Sequence, residues 1–333
     1  MSENKTVYIL GAGFNQCING ELGLKPPLST NFFTTILKNE RYTNEDYYKK
    51  NRCVYDYIYR YWQKSKEKLK CEEFNIEDCF TLIQLQILEA KNNNNYKTVS
   101  KLININSQLK FMFTESLSEF QPFINSSDLM INFGRLIFTK EANVITFNYD
   151  CNLENAIKTI DHTDAFNIST CYGLNFHNLP KTISSNWNIL KLHGSLNWFK
   201  YIYANSTTEI ILTDNISTYQ YENQNLLIEP LIIPPVLYKD YEQEFISTLW
   251  QKAKTILSHC KTLIVVGYSF PATDFGIKKL LLESFISNKL DKLIIVNPNT
   301  SIVNTVKQLT HFDKPVIVCD SLREFLKNLS SIY

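Results

Sequence analysis

Short apolar runs recur along the chain at Val7-Tyr8-Ile9-Leu10, Val144-Ile145-Thr146, Ile189-Leu190-Lys191-Leu192, Leu263-Ile264-Val265-Val266, Leu293-Ile294-Ile295-Val296 and Val316-Ile317-Val318-Cys319. They are rich in β-branched residues, and several are separated by helical patterns. Near-continuous apolar strands are buried on both faces, the condition of a parallel sheet covered by helices, so the chain reads as α/β. Between the first run and the second lies a polar, aromatic, helical stretch, 36–140, with no comparable strand. It reads as a helical insertion, leaving 1–35 and 141–333 to build the sheet. Short alternating pieces between 201 and 243 predict a small β-rich excursion that ends at Pro234-Pro235, prolines that a central strand does not accept. Phe245, Leu249, Ala253 and Ile256 then mark an amphipathic helix returning to the sheet.

Inside the insertion, Ile76, Phe80, Ile83 and Ile87 fall at helical spacing behind Asn75 and Asp78, a capping arrangement. Tyr55, Tyr57, Tyr59 and Tyr61 alternate as a strand would, while the surrounding sequence favours a helix with two aromatic faces; both readings stand. Thirty-four basic residues against thirty-three acidic ones give no cationic field for nucleic acid. The run Lys64-Ser65-Lys66-Glu67-Lys68-Leu69-Lys70 reads as a solvated helix face. With no apolar stretch of membrane-spanning length and no secretory pattern, a cytoplasmic location is expected. Eight cysteines without a CxxC pair read as buried free thiols, and no metal site is expected.

The first run ends at Gly11-Ala12-Gly13. Glycines at such a turn let the backbone approach a phosphate closely, with a helix N-terminus behind it. A full dinucleotide fingerprint needs a third glycine, and Gln16 stands in its place. By itself the turn fits phosphate binding or a structural strand-to-helix turn. Two further runs lead into polar residues where a sheet opens into a crevice: VITFNYDCNLE, 144–154, at Asn148-Tyr149-Asp150, and ILKLHGSLNWF, 189–199, at His193-Gly194-Ser195.

The ordered set GAG (11–13), TFNYD (146–150), LHGS (192–195), VGYS (266–269) and IVNPN (295–299) resembles the sirtuin-like group, and more closely its bacterial anti-phage branch of NAD hydrolases than its protein deacylases. The resemblance implies a sirtuin-like Rossmann-type parallel sheet in 1–35 and 141–333 that takes NAD as substrate and uses no metal. It places Gly11, Ala12 and Gly13 at the pyrophosphate, and Asn148 as the residue positioning a water or the ribose. Asp150 faces the nicotinamide amide, and His193 is the catalytic histidine. Gly267 and Ser269 line the phosphates and ribose, Asn297 meets the adenosine ribose, and the backbone of Cys319 faces adenine.

The chain also departs from the deacylases. Their Pro-Asp-Phe-Arg flap is replaced by Pro26-Pro27-Leu28-Ser29-Thr30-Asn31-Phe32-Phe33, and Asn15 stands where they carry a serine. No cysteine lies between His193 and Cys260, so the four-cysteine zinc module is missing. Pro235-Val236-Leu237-Tyr238-Lys239-Asp240 replaces the peptide-holding Phe-Gly-Glu strand, and Phe147 replaces a glutamine. The expected activity is NAD hydrolysis to nicotinamide and ADP-ribose, as the effector of an anti-phage system that depletes NAD. The competing expectations are a deacylase or ADP-ribosyltransferase, and a non-catalytic NAD or ADP-ribose sensor. A toxic hydrolase needs restraint, so a homo-oligomer or a co-encoded regulatory or sensor protein is expected as partner, with the tyrosine-rich insertion as its contact surface.

Overall fold

The computed structural model describes residues 5–16, 26–120, 127–161, 166–180, 185–202, 208–213, 227–234, 244–271 and 274–332. They fall into two compact units, one of Met1–Lys25, Gln121–Leu231 and Tyr241–Tyr333, the other of Pro26–Phe120 and Ile232–Asp240. The stretch Pro235–Asp240 lies outside the described residues.

Strand β1 (Thr6–Leu10) leads at once into the short helix α1 (Ala12–Gln16). The helical unit follows, with α2 (Arg52–Trp62), α3 (Ile76–Asn92) and α4 (Tyr96–Ser118) as its longer members. The tyrosine alternation is settled in favour of a helix: Tyr55 and Tyr57 are buried and Tyr59 and Tyr61 exposed, with Tyr55 on the side of Tyr59 and Tyr57 on the side of Tyr61, whose ring centroid lies 4.8 Å away. Asn75 caps α3 by accepting from the Glu77 N–H, and Ile76, Phe80 and Ile83 are buried below it. Phe32 and Phe80 both meet Phe113 of α4, with ring centroids 5.5 and 6.2 Å apart, which gives this unit an aromatic core of its own.

The sheet unit resumes with α5 (Asp128–Lys140), β2 (Asn143–Thr146) and α6 (Asn152–Ile160), then β3 (Ile189–Lys191). Next come β4 (Gly194–Ile202), β5 (Thr208–Leu212) and β6 (Leu227–Ile232), followed by α7 (Glu244–Ser258), β7 (Thr262–Val266) and α8 (Phe275–Ser284). β8 (Lys292–Val296), α9 (Ile302–Thr310), β9 (Ile317–Cys319) and α10 (Leu322–Lys327) complete it. Strands β3-β2-β1-β7-β8-β9 form one sheet in that order, with parallel pairing throughout. Relabelled by their appearance in this sheet, the strands run 3-2-1-4-5-6, the doubly wound order whose crevice opens where the progression reverses. That reversal lies between β1 and β7.

The expected strands therefore form, and their burial explains their composition: every residue of β2 is buried, as are Val7 to Leu10 of β1. Helix α5 begins at Ser127, whose hydroxyl accepts from the Met130 N–H, and it drives Phe133 edge-on against Tyr8, with centroids 5.6 Å apart. Phe133 is fully buried, so truncation to alanine costs about 3–5 kcal/mol. Gly134 brings α5 close to α6, because a Cβ there would lie 3.0 Å from the Cβ of Ala156.

The run at 189–192 ends, as expected, before His193-Gly194-Ser195, but a second strand starts directly after it. β3 ends at Lys191 in the parallel sheet, and Gly194, at φ +84°, turns the chain into β4 of a second sheet ordered β5-β4-β6. β4 and β5 pair antiparallel. This second sheet is the expected β excursion, begun earlier than position 201. Pro230 is accommodated because β6 is an edge strand.

Candidate active site

Gly11 and Gly13 are explained first by packing. The turn after β1 lies directly on the turn after β7: a Cβ on Gly11 would stand 2.6 Å from the Cα of Tyr268, and one on Gly13 would stand 2.7 Å from the Gly267 carbonyl oxygen. Gly267 itself sits at φ +60°, and a Cβ there would come within 2.1 Å of the Phe14 nitrogen. Only glycine fits at all three positions. Their hydrogen bonds close the same junction, for the Gly11 N–H donates to Val266 O at 3.1 Å and the Gly13 N–H to Gly267 O at 2.8 Å. Those two amides thus bind backbone carbonyls, and Ala12 is the exposed member of the turn.

Around this junction the structure gathers the residues named from sequence. Asn148, after β2, donates from Nδ2 to the Gly11 carbonyl at 3.0 Å, and its N–H is held by Thr146 Oγ1. Asp150 accepts from Asn15 Nδ2 at one oxygen and from the Asn152 N–H at the other, at 3.1 Å. Asn152 Nδ2 closes the ring by donating to Asn15 Oδ1 at 3.3 Å. On the other side, Asn297 spans from β8 to the Tyr268 carbonyl through Nδ2 and accepts the Asn299 N–H through Oδ1, an Asx turn. The Asn297 N–H donates to the carbonyl of Cys319 at 2.9 Å, while Ser269 is exposed. His193 lies in the turn between β3 and β4, 5 % exposed. Its ring meets Phe147 edge-on at 5.0 Å, and Phe147 in turn packs against Tyr268 at 4.7 Å. All eleven sequence-named residues therefore stand at the carboxyl ends of the six parallel strands, in the turns that follow them or, for Ala12, Gly13 and Asn15, in the short helix α1 directly after β1.

Several contributing residues escaped the sequence reading. Lys191 is fully buried beneath the Asn148–Asp150 turn, where its ammonium donates to the Asp150 carbonyl and pairs with Glu154 Oε1 at 3.0 Å. Burial by itself would lower the Lys191 pKa, but the negative charges of Glu154 and Asp150 outweigh it, and the ammonium sits above its ordinary value. The Tyr172 hydroxyl also donates to Glu154 Oε1, at 3.0 Å. Ser195 Oγ donates to Asn197 Oδ1 at 2.7 Å and lies 3.5 Å from Cys151 Sγ. Burial pushes that thiol up to about 12, so it remains protonated and unreactive. Asp274 comes close to His193, their Oδ1 and Nε2 atoms 3.6 Å apart. In sequence, an aspartate ahead of α8 signals nothing but a helix cap.

Chemically, the site offers fixed amide side chains, the buried His193 imidazole and the buried carboxylate of Asp274 beside it, at the carboxyl ends of the strands. That set suits proton transfer and the orientation of a polyhydroxylated ligand. No group of three or more potential ligand side chains able to hold a metal ion occurs among the described residues. None of the described helices is long and apolar enough to cross a membrane.

Residues 142–300 match a family model described as a SIR2-like domain. Among solved structures, a Sir2 homolog–NAD complex aligns at 13 % identity over 98 % of this chain and 88 % of that one, with a TM-score of 0.44. A Sir2 structure with the inhibitor EX-527, 2'-O-acetyl-ADP-ribose and a deacetylated p53 peptide aligns at 14 % identity over 98 % and 93 %, with a TM-score of 0.42. Comparison with curated proteins gives no match.

Proposed function

We propose, from the match of residues 142–300 to a SIR2-like domain model, that this chain hydrolyses NAD to nicotinamide and ADP-ribose. The observation that carries the reading is the joining of Asn148 to the Gly11 carbonyl beside the interlocked Gly11, Gly13 and Gly267, with His193 packed against the adjacent Phe147, at the carboxyl ends of a 3-2-1-4-5-6 sheet. The pyrophosphate lies along the Gly11-Ala12-Gly13 and Gly267–Ser269 turns. Asn297 and the Cys319 backbone take the adenosine end, and Asp150 with Asn15 faces the nicotinamide amide.

Cleavage of the nicotinamide–ribose bond develops an oxocarbenium-like state, which asks the protein to orient water and the leaving group and to exclude other nucleophiles. Asn148, with its amide fixed on the Gly11 carbonyl, positions the water or the ribose. His193 accepts the proton; a positioned base of this kind contributes about 10²–10⁴-fold. The missing zinc module and altered peptide segment weigh against acyl-lysine as co-substrate. In the cell, this activity serves an anti-phage system that depletes NAD, and it is held low until a homo-oligomer or a co-encoded partner engages the helical segment 36–140.

Purified protein incubated with NAD, with and without an acylated peptide, tests the activity by chromatography of nicotinamide and ADP-ribose. Loss of NAD without peptide is expected. Consumption only in the presence of peptide, transfer of ADP-ribose to protein, or binding without turnover overturns the reading in favour of a deacylase, a transferase or a sensor respectively.

A further inference from the structure

Asp274 is the N-cap residue of α8, yet its side chain makes no capping hydrogen bond. Its Oδ2 accepts from the Tyr268 hydroxyl, and its Oδ1 faces His193 Nε2 at 3.6 Å. The two side chains are 3 % and 6 % exposed, so water and salt screen their attraction little. Helix α8 has ten residues, and its N-terminal end favours negative charge at Asp274. The ring contacts from His193 to Phe147 and from Phe147 to Tyr268 set the imidazole on one side of this carboxylate, and the Tyr268 hydroxyl sets the carboxylate itself.

We infer that Asp274, oriented by Tyr268, is a positioning residue that keeps the His193 proton on Nε2 and leaves Nδ1 as the proton acceptor. The 3.6 Å separation exceeds a direct hydrogen bond by a few tenths of an ångström, a gap that closes when substrate tightens the site. The proton's destination rests on the hydrolase reading. Water oxygen bonds to C1′ of the ribose as the C1′–nitrogen bond breaks, and the electron pair of that bond leaves with neutral nicotinamide. The water proton passes to Nδ1, the Asp274 carboxylate stabilises the resulting imidazolium, and the proton is then released to solvent. Asp274 touches no reacting atom; it acts through His193.

The test uses the full chain labelled with ¹⁵N-histidine, the His193 resonances being assigned by their loss in His193→Ala. Wild type is expected to show the Nε2–H tautomer, and Asp274→Asn a mixture of both. In NAD turnover, Asp274→Asn is expected to lower kcat about a hundredfold with KM changed by less than about threefold, within the 10²–10⁴-fold range of acid–base catalysis. Tyr268→Phe, which keeps the carboxylate but frees its orientation, is expected to lower kcat about tenfold by the same route. An Nδ1–H tautomer in wild type overturns the inference even where no variant folds, as does an unchanged tautomer and kcat in Asp274→Asn. The spectrum of wild type decides the Asp274–His193 relation even if the protein consumes no NAD, so failure of the hydrolase reading and failure of this inference are distinguishable.

Discussion

Replacing Lys191 by methionine removes one member of a buried ion pair and leaves the other in place. The Lys191 and Glu154 side chains are 1 % and 2 % exposed, so neither charge can turn to solvent, and the pair is joined at 3.0 Å. Breaking such a pair from one side costs about 3–5 kcal/mol, most of it the penalty of an uncompensated buried charge. Lys191→Met also strips the Asp150 carbonyl of its donor, a loss of about 1–3 kcal/mol that is contained in the same total. Glu154→Gln is expected to cost a similar amount, because it strands the ammonium. The double variant Lys191→Met/Glu154→Leu leaves only the Asp150 carbonyl and the Tyr172 hydroxyl to find new partners. It is expected to cost less than the two single changes together, with a coupling of about 3–5 kcal/mol. Urea denaturation measures it. Trp198, whose ring stands 4.9 Å from Tyr172, reports on this region, and a Trp62→Phe background removes the tryptophan of the helical unit. Strict additivity, a coupling within about 0.5 kcal/mol of zero, would refute the assignment of Lys191 and Glu154 as one interacting unit beneath the site.

Gly267→Ala is expected to lose NAD binding and destabilise the sheet unit: the αL conformation alone costs about 1–2 kcal/mol, and the new Cβ would stand 2.1 Å from a backbone nitrogen. Calorimetry of ADP-ribose binding together with a melting curve checks it. His193→Ala and Asn148→Ala are each expected to abolish nicotinamide release while keeping the wild-type circular dichroism; near-wild-type turnover in either would remove the assignment. Burial raises the Cys151 and Cys260 thiols to about 12 and Tyr172 upward as well. Above about pH 9 the unfolded chain releases these protons while the native state retains them, so their stabilisation is complete below about pH 8 and declines as pH rises towards 12, by up to about 1.4 kcal/mol per pH unit for each thiol. Urea midpoints at pH 8 and 10 should fall in that order, and Cys151→Ala/Cys260→Ala should flatten the fall. Glutamate at the exposed Tyr59 and Tyr61 is expected to lower the oligomeric mass and the NAD turnover together, as read by light scattering beside an activity assay. Tyr57 is unsuitable for that test, since it is buried and donates to Gln86.

The strands were legible because burial on both faces of a parallel sheet leaves runs that survive without alternation, as in Val144-Ile145-Thr146. The residues at strand ends were legible for a related reason: polar Asn148, Asp150 and His193 interrupt those runs where the sheet stops. The strand that begins at Gly194 was not, because its polar His193, Ser195 and Asn197 read as the turn at a strand end, while Gly194 at φ +84° carries the chain straight into a second sheet. Asp274 and Lys191 were hidden by sequence separation. The partner of Asp274 lies 81 positions earlier, and that of Lys191 lies 37 positions earlier. An isolated aspartate before a helix carries the same local signature whether it caps the helix or faces an imidazole. The glycine turn was read for its approach to a phosphate, whereas the closest approach it makes is to the neighbouring turn.

The position of β1 bears on how the chain is made. It sits between β2 and β7 in the sheet, and Leu10 pairs with Thr146 on one side and Val266 on the other. When synthesis has delivered β1, the neighbour on its second side is still roughly 250 residues away along the chain, so pairing must close a very long loop. At about 5–20 residues per second the wait lasts roughly 13–50 s, throughout which at least one edge of an apolar strand is open. The helical unit, rich in local contacts, can fold in that interval. Nascent chains halted before residue 262 should therefore depend on chaperones that shield Val7–Leu10, and polar substitutions in β1 should raise the solubility of such truncated chains while preventing the full-length sheet from closing.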